Sequence, residues 1–320
     1  MKALRLHGPA DLRLHDEPEP EPLPGDVLLR VRAVGLCGSD RHWFDEGAIG
    51  DASLTRPLVL GHEFVATIES GPRAGERVAV DPADACGRCA ECLRGLDHLC
   101  SNGRFAGHGS TDGALRELLA WPEHLAYALP DGLPDAEAAL LEPLGVALHA
   151  HDLGPVAAGG TAGVFGCGPI GLLLVQLLRD AGAEVFAVDP LPHRLAAAEA
   201  LGASAEPREA DVSFEVSGSD EALDAALAAT RAGGRVVLVG IPDGDRTSFS
   251  ASLARRKGLT LLLSRRMAHH DLPRAIRLVE SDSFSLAGLV TERHSLGEWP
   301  EAFDALTTRR GLKVVIEPSA

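Results

Sequence analysis

The chain lacks any long apolar run and contains very little lysine. Its longest apolar stretch, Leu172–Leu178, is interrupted by Gln176 and is far shorter than the about 20 residues of a membrane-spanning helix. The segment from Met1 to Pro24 has no apolar core of the kind found in signal peptides. Internal repeats and low-complexity segments are also missing. With 45% hydrophobic residues, the sequence leads us to expect a globular, cytoplasmic protein.

Positive charge is scarce as a whole. The chain has 46 acidic and 30 basic residues, a formal net charge of −16, and lysine occurs only at Lys2, Lys257 and Lys313. An acidic surface of this kind repels nucleic acids and anionic membranes, so we expect neither as a partner. The simplest interpretation of the acidic excess is solubility.

Four of the six cysteines form a closely spaced cluster, here called the cysteine comb: Cys86, Cys89, Cys92 and Cys100. This spacing can place four thiolates around one tetrahedral ion, as in structural zinc sites. An iron–sulfur cluster is an alternative, although the fourth cysteine comes late for one and no proline follows it. Free or bridged thiols are a further alternative, but cysteines so close together rarely reach disulfide geometry. We expect structural zinc.

The two halves of the chain have different patterns. The first half reads as short strands broken by glycine, proline and aspartate, without helices. From about Leu144, strands and helices alternate, which predicts a doubly wound parallel sheet with helices on both faces. Two more helices and a closing strand follow Leu272. A chain of 320 residues usually forms two domains, and the fold class expected is α/β.

A glycine-rich turn lies between a predicted strand and an apolar helix. Gly166 permits the tight turn, Gly168 lets the backbone approach a pyrophosphate, and Gly171 lets helix and strand pack closely. Pro169 and Ile170 complete this turn. The start of a helix also favours phosphate groups. The pattern predicts a dinucleotide site, the alternative being a similar turn without a ligand.

The next predicted strand ends in Asp189. A carboxylate there accepts hydrogen bonds from the adenosine ribose and repels a 2′-phosphate, which favours NAD over NADP. Arg194 follows five residues later and could lie against the adenine or pair with a 2′-phosphate. We expect NAD as the cofactor.

A second set of metal-binding residue types is spread over the first half of the chain: Cys37, His62, Glu63 and Glu142. One thiolate, one imidazole and one or two carboxylates could hold zinc and leave an open position, which catalysis requires. Spacing alone cannot assemble ligands so far apart in sequence. A single buried cysteine and a Gly-His-Glu turn are the simpler interpretations.

The order of these motifs resembles the zinc-dependent medium-chain dehydrogenases over essentially the whole chain. The motifs are Cys37-Gly-Ser-Asp40, Gly61-His-Glu63, the cysteine comb, Asp112-Gly-Ala114, Glu142-Pro-Leu144 and the glycine turn. The sequence is most similar to the sorbitol (L-iditol) 2-dehydrogenase, or polyol, branch. His42-Trp43 and Glu142 point to this branch, since ordinary alcohol dehydrogenases usually have cysteine at the latter position.

The resemblance implies a GroES-like, β-rich catalytic domain formed by residues 1–144 and 266–320. It implies a Rossmann domain at residues 145–265, with substrate bound in the cleft between the two. It also implies two zinc ions per chain, one catalytic and one structural, and a homodimer or homotetramer.

Roles for individual residues follow from the same resemblance. Cys37 and His62 are zinc ligands, and of Glu63 and Glu142 one binds zinc directly and the other directly or through water. Asp40 fixes the imidazole of the ligand, Ser39 and His42 carry the alcohol proton outward, and the cysteine comb holds the structural ion. Arg265 or Arg266 faces the substrate, although the aromatic residue that usually follows the arginine is missing.

The activity implied is the reversible oxidation of a secondary alcohol on a polyol or sugar, such as sorbitol or xylitol, to a ketone by NAD. Alternatives within the superfamily act on L-threonine, butanediol, a simple alcohol or glucose, or are zinc-free quinone or enoyl reductases. A non-catalytic NAD-binding protein is the alternative from another class. Between Gly202 and Val212 there is no room for the usual linking helix. We therefore expect a third Rossmann strand that is vestigial or is connected directly by residues 206–210.

Overall fold

The computed structural model describes residues 1–244, 246–281 and 284–319. These residues form two compact units. The first contains Met1–Glu142, Ala268–Ser281 and the stretch from Ser285 onward, and the second contains Pro143–Met267. Each unit has its own core of buried apolar side chains.

The described residues contain nineteen strands. In chain order they are β1 Lys2–Gly8, β2 Asp11–Asp16, β3 Asp26–Gly35, β4 Ala48–Ile49, β5 Ala52–Ser53, β6 Leu58–Val59, β7 Glu63–Ile68, β8 Arg77–Val80, β9 Ala83–Asp84, β10 Arg104–Phe105, β11 Leu118–Pro122, β12 Ala126–Ala128, β13 Thr161–Phe165, β14 Glu184–Val188, β15 Ala210–Glu215, β16 Thr230–Leu238, β17 Thr260–Leu263, β18 Val290–Ser295 and β19 Lys313–Glu317.

The same residues contain ten α-helices. They are α1 Gly38–Glu46, α2 Ala90–Leu93, α3 Asp135–Ala138, α4 Leu141–Leu153, α5 Pro169–Asp180, α6 Pro192–Ala200, α7 Asp220–Ala229, α8 Ala251–Lys257, α9 Asp271–Val279 and α10 Trp299–Thr307. Within the described ranges, none of these helices has the length and apolar character needed to cross a membrane.

The first unit is built around a seven-stranded sheet. Its order is β12-β8-β7-β3-β19-β18, and β11 pairs with β3 as well. β3 is therefore central, and its end at Gly35 is flanked by β7 on one side and by β19 on the other. Trp43, Trp121 and Phe303 are among the largest fully buried side chains of the first unit. This arrangement brings together residues from the beginning, the middle and the end of the chain.

The prediction that the first half contains no helices is wrong, because α1, α2 and α3 lie there. The longest of the three is α1. Cys37 is its N-cap, and the Asp40 side chain accepts a hydrogen bond from the Cys37 backbone N–H, which completes a capping box. Gly47 ends the helix in a left-handed conformation, with φ of 66°. The short polar sequence resembles a turn, and its helical form depends on these end contacts.

The second unit is a five-stranded parallel sheet with the order β14-β13-β15-β16-β17. β14 lies on one side of β13 and the later strands lie on the other, so the strand order reverses at β13, as in doubly wound sheets. α5, α6 and α7 connect or follow these strands, so the predicted fold class is confirmed.

The third Rossmann strand is vestigial, which is one of the two forms predicted. A single parallel bridge joins Phe186 to Ser204 beside β14. The Ser204 N–H donates to the Val185 carbonyl, and the Ala187 N–H donates to the Ser204 carbonyl, both at 2.9 Å. The chain then enters β15 at Ala210, because too few residues separate the two strands for a helix.

Candidate active site

Helix α1 and strand β7 place the first group of predicted site residues. Asp40 is fully buried, and its carboxylate accepts hydrogen bonds from the backbone N–H groups of Cys37 at 2.9 Å and Gly61 at 3.2 Å. The same carboxylate lies 3.7 Å from His62 Nδ1. Asp40 therefore fixes the two segments that carry Cys37 and His62.

Cys37, His62 and Glu63 converge in space. One potential ligand atom from each lies within 4.8 Å of the others. Burial, reinforced by Glu63, raises the pKa of the Cys37 thiol well above its usual range, while Lys313 acts in the opposite direction. A sulfur, an imidazole nitrogen and a carboxylate oxygen form a donor set suited to zinc with an open fourth position. The residues present therefore fit a catalytic zinc ion.

Glu142 is the second residue of α4 and is 7% exposed. Burial raises the pKa of Glu142 to about 8, with His62 opposing this shift and Glu63 adding to it. The charges of His62 and Glu63 therefore act on its carboxyl group. Among the residues that the structure describes, Glu142 is not part of the group formed by Cys37, His62 and Glu63, whose ligand atoms lie within 4.8 Å of one another.

The predicted proton-relay residues lie on α1. Ser39 Oγ is 3.3 Å from a ring nitrogen of His62, Nε2. His42 is 4% exposed, and its Nδ1 is 2.8 Å from the Glu46 carboxylate, one helical turn further on. The Glu46 side chain is 40% exposed. Ser39, His42 and Glu46 thus follow one helix from the cluster toward solvent, and the sequence did not point to Glu46.

The cysteine comb forms a second, separate cluster. Its four sulfurs lie within 4.8 Å of one another, with Cys89–Cys92 at 3.4 Å and Cys89–Cys100 at 3.7 Å. Disulfide bonds are about 2.05 Å long, so these pairs are not bridged. Sulfurs held about 2.3 Å from one zinc ion lie about 3.8 Å apart, so the residues fit structural zinc. A hydrogen bond from the Arg88 N–H lowers the pKa of Cys86 to about 6.

The glycine turn has the geometry expected of a dinucleotide site. Gly166 has φ of +105°, a conformation that favours glycine, and Gly168 is the N-cap of α5 with Pro169 as its first residue. A Cβ atom at Gly171 would overlap with the Gly166 carbonyl. The conformation of Gly166 and the close approach at Gly171 favour glycine at both positions, and the start of a helix favours phosphate groups.

Asp189 follows β14 and contacts this turn. Its carboxylate accepts hydrogen bonds from the Cys167 N–H at 2.7 Å and the Leu191 N–H at 2.8 Å. The Arg194 guanidinium lies near Gly168: one of its terminal nitrogens would be 3.7 Å from a Cβ atom added to Gly168. Asp189 therefore supports the turn in addition to the predicted contact with the ribose.

Residues 23–131 match the alcohol dehydrogenase GroES-like domain family, and residues 169–281 match the zinc-binding dehydrogenase family. The chain is 31% identical to sorbitol dehydrogenase of Bacillus subtilis, over 100% of this chain and 98% of the relative. It is 35% identical to a probable D-xylulose reductase A of Arthroderma otae, over 97% of this chain and 95% of the relative. The chain belongs to the zinc-binding dehydrogenases.

A solved structure supports the same assignment. A zinc-binding dehydrogenase of Sinorhizobium meliloti, bound to NADP, is 31% identical, with a TM-score of 0.88 and 99% of each chain covered. The predicted resemblance to the zinc-dependent medium-chain dehydrogenases of the sorbitol dehydrogenase branch is thereby confirmed.

Two further residues of this dehydrogenase lie beside the first cluster, and sequence reasoning missed both. The Phe105 ring lies 5.4 Å from the His62 ring, between centroids. The Lys313 ammonium group contacts the Glu63 carboxylate. Both come from segments distant in sequence from the cluster, and no spacing pattern marks either of them.

Arg265 and Arg266 follow β17 in the second unit of the dehydrogenase. Arg265 is exposed, whereas Arg266 is half-buried and has φ of 58°, an unusual conformation for a residue with a side chain. Their role toward a substrate stays a prediction.

Proposed function

We propose that this dehydrogenase catalyses the reversible oxidation of a secondary alcohol on a polyol or sugar, with NAD+ as the hydride acceptor. The products are a ketone, NADH and a proton. The convergence of Cys37, His62 and Glu63 within 4.8 Å is the observation that carries this proposal. The similarity to sorbitol dehydrogenase and D-xylulose reductase supports the substrate class.

Each residue of the site has a distinct role in this proposal. Zinc held by Cys37, His62 and Glu63 would act as a Lewis acid and make a substrate hydroxyl easier to deprotonate. Asp40 holds the segments that bear the first two ligands. Ser39 would accept the hydroxyl proton as it gives up its own, and His42 would pass a proton on toward solvent. We assign direct metal binding to Glu63, because its oxygen lies with the other two donors, and a nearby supporting position to Glu142.

We further propose a second zinc ion on the cysteine comb, which would give two per chain. The first unit then acts as the catalytic domain and the second as the NAD-binding domain. A homodimer or homotetramer is proposed, since β17 is an edge strand whose Leu263 side chain is 80% exposed. Six free thiols are consistent with a reducing, cytoplasmic location.

A substrate panel tests the activity. NADH formation would be measured with sorbitol, xylitol, L-threonine, 2,3-butanediol, glucose and ethanol, each over a range of concentrations. We expect the highest kcat/KM with a polyol. Activity confined to simple primary alcohols would contradict the proposed substrate class, and activity confined to L-threonine or glucose would identify another branch of the superfamily.

The cofactor preference depends on Asp189. Replacing it with asparagine keeps the side-chain size but removes the negative charge that repels a 2′-phosphate. We expect the preference for NAD over NADP, as a ratio of kcat/KM values, to fall by about 10- to 100-fold, the range for hydrogen bonds to a charged group. Steady-state kinetics with both cofactors measures this ratio.

The matched control for that change is Glu184→Ala. Glu184 is an exposed carboxylate at the other end of β14, where it pairs with Arg208 at 2.9 Å. This control should leave the ratio unchanged. If Asp189→Asn also left it unchanged, another residue would discriminate between the cofactors.

A further inference from the structure

Lys313 is one of the few lysines of this chain, and its side chain is almost completely buried. It begins β19 and is 2% exposed. Its ammonium group donates to the carboxylate of Glu63, which lies 250 residues earlier in the sequence and is also 2% exposed. Removing an ammonium group from water is costly unless an opposite charge compensates it. The position of Lys313 thus depends on the candidate metal site.

The Lys313–Glu63 pair forms over Gly35, which lies on the strand between β7 and β19. Gly35 in β3 is directly opposite Glu63 in β7, and on its other side it is paired with Val315 in β19. Lys313 is two residues before Val315 and therefore faces the same side of the sheet. A Cβ atom at Gly35 would overlap with both the Glu63 carboxylate and the Lys313 side chain. The absence of a side chain at Gly35 leaves the space in which the two charges meet.

The Lys313 ammonium lies beside the proposed metal ligands. Its direct partner is the Glu63 carboxylate, and a ligand atom of Glu63 lies within 4.8 Å of ligand atoms of Cys37 and His62. A metal ion at this site and the Lys313 ammonium would therefore share one carboxylate.

We propose that Lys313 is a positioning residue of the metal site. It holds one oxygen of Glu63, so that this carboxylate offers the other oxygen to the metal. Its positive charge offsets the negative charge of one ligand, so that the metal remains a strong enough Lewis acid to activate a hydroxyl group. The inference rests on the proposed metal-binding role of Cys37, His62 and Glu63.

The two proposed roles of Lys313 predict opposite effects of its replacement on zinc retention and on turnover. Lys313→Met removes the charge and keeps a similar length, so the site becomes more anionic and Glu63 is free to bind with both oxygens. We expect zinc to dissociate about 10- to 100-fold less readily, as a unit charge a few ångströms from the ion implies. We expect kcat to fall about tenfold or more, because the metal withdraws less electron density from the substrate. A residue that merely packs would lose metal retention and activity together.

The experiment uses the purified, zinc-loaded enzyme. Zinc transfer to a chelating dye is measured for the wild type, Lys313→Met, Lys313→Arg and the surface control Lys2→Met, with kcat and NADH binding measured on the same samples. Lys2 pairs with Asp16 at the exposed surface, so its replacement should change nothing. Lys313→Arg should recover most of the wild-type behaviour. Weaker zinc retention together with lower activity in Lys313→Met, or no change in either, would overturn the proposal.

A double variant covers the case in which Lys313→Met does not fold. Lys313→Met combined with Glu63→Gln removes both charges of the pair, and the effect of the lysine change on zinc retention should then largely disappear relative to Glu63→Gln alone. An effect that persisted in this background would also overturn the proposal. If Cys37→Ala did not reduce the zinc content, the proposed function would fail instead. Zinc bound at that site but insensitive to Lys313 would refute this inference alone.

Discussion

Cys37→Ala is expected to lower kcat by about a thousandfold or more, because Lewis-acid assistance contributes several kcal/mol and each factor of ten corresponds to about 1.4 kcal/mol. Binding of NADH should remain nearly unchanged, since the glycine turn lies in the second unit, away in sequence from α1 and β7. Steady-state kinetics and NADH fluorescence titration on the same preparation measure the two quantities.

The control for this change is Asp45→Ala on the same helix. Asp45 is solvent-exposed and lies 3.9 Å from Arg41, so its loss should affect neither quantity. Turnover that survived in Cys37→Ala would show that the thiolate does not hold the catalytic metal. A parallel loss of NADH binding would indicate general unfolding rather than the loss of one ligand.

Cys100→Ser is expected to act on stability. Structural zinc sites bind their ion by about 10–16 kcal/mol, and losing even a quarter of this would lower the Tm by about 10 °C in a unit of this size. The loop between Cys92 and Cys100 is anchored elsewhere as well, because Asp97 accepts a hydrogen bond from the His269 N–H at 2.8 Å. Turnover measured well below the Tm should therefore fall much less than in Cys37→Ala.

Calorimetry with metal analysis measures the effect of Cys100→Ser. Leu93→Ser is the matched control, since Leu93 is on α2 within the same loop and is 77% exposed. It should leave the Tm and the zinc content unchanged. A Cys100→Ser protein with the wild-type Tm would mean that the comb holds no stabilising ion.

Much of the fold could be predicted because its signals are local. The alternation of strands and helices after Leu144 predicted the parallel sheet. The short segment before β15 predicted a third strand that is vestigial or directly connected, and the structure shows the vestigial form. The clustering of the cysteine comb was equally predictable, since all four cysteines come from one stretch of fifteen residues, Cys86 to Cys100. In each case the interacting residues are close in sequence.

The rest depends on contacts that spacing does not encode. Helix α1 was missed because its stability comes from an Asp40 capping contact and from burial of Trp43. Lys313 was missed because it meets Glu63 only through the strand order β7-β3-β19 and the small size of Gly35. The choice between Glu63 and Glu142 as the direct ligand also stays outside sequence reasoning, since spacing does not tell which carboxylate lies beside Cys37 and His62.

The central claim is that an incompletely ligated zinc ion, bound by Cys37, His62 and Glu63, is responsible for turnover. Elemental analysis of fully active wild-type protein, with activity followed as zinc is removed by a chelator, tests it most directly. We predict two zinc ions per chain, with activity lost in step with the one that Cys37→Ala also removes. Full activity in protein that retains a single zinc ion, held by the cysteine comb, would contradict this claim.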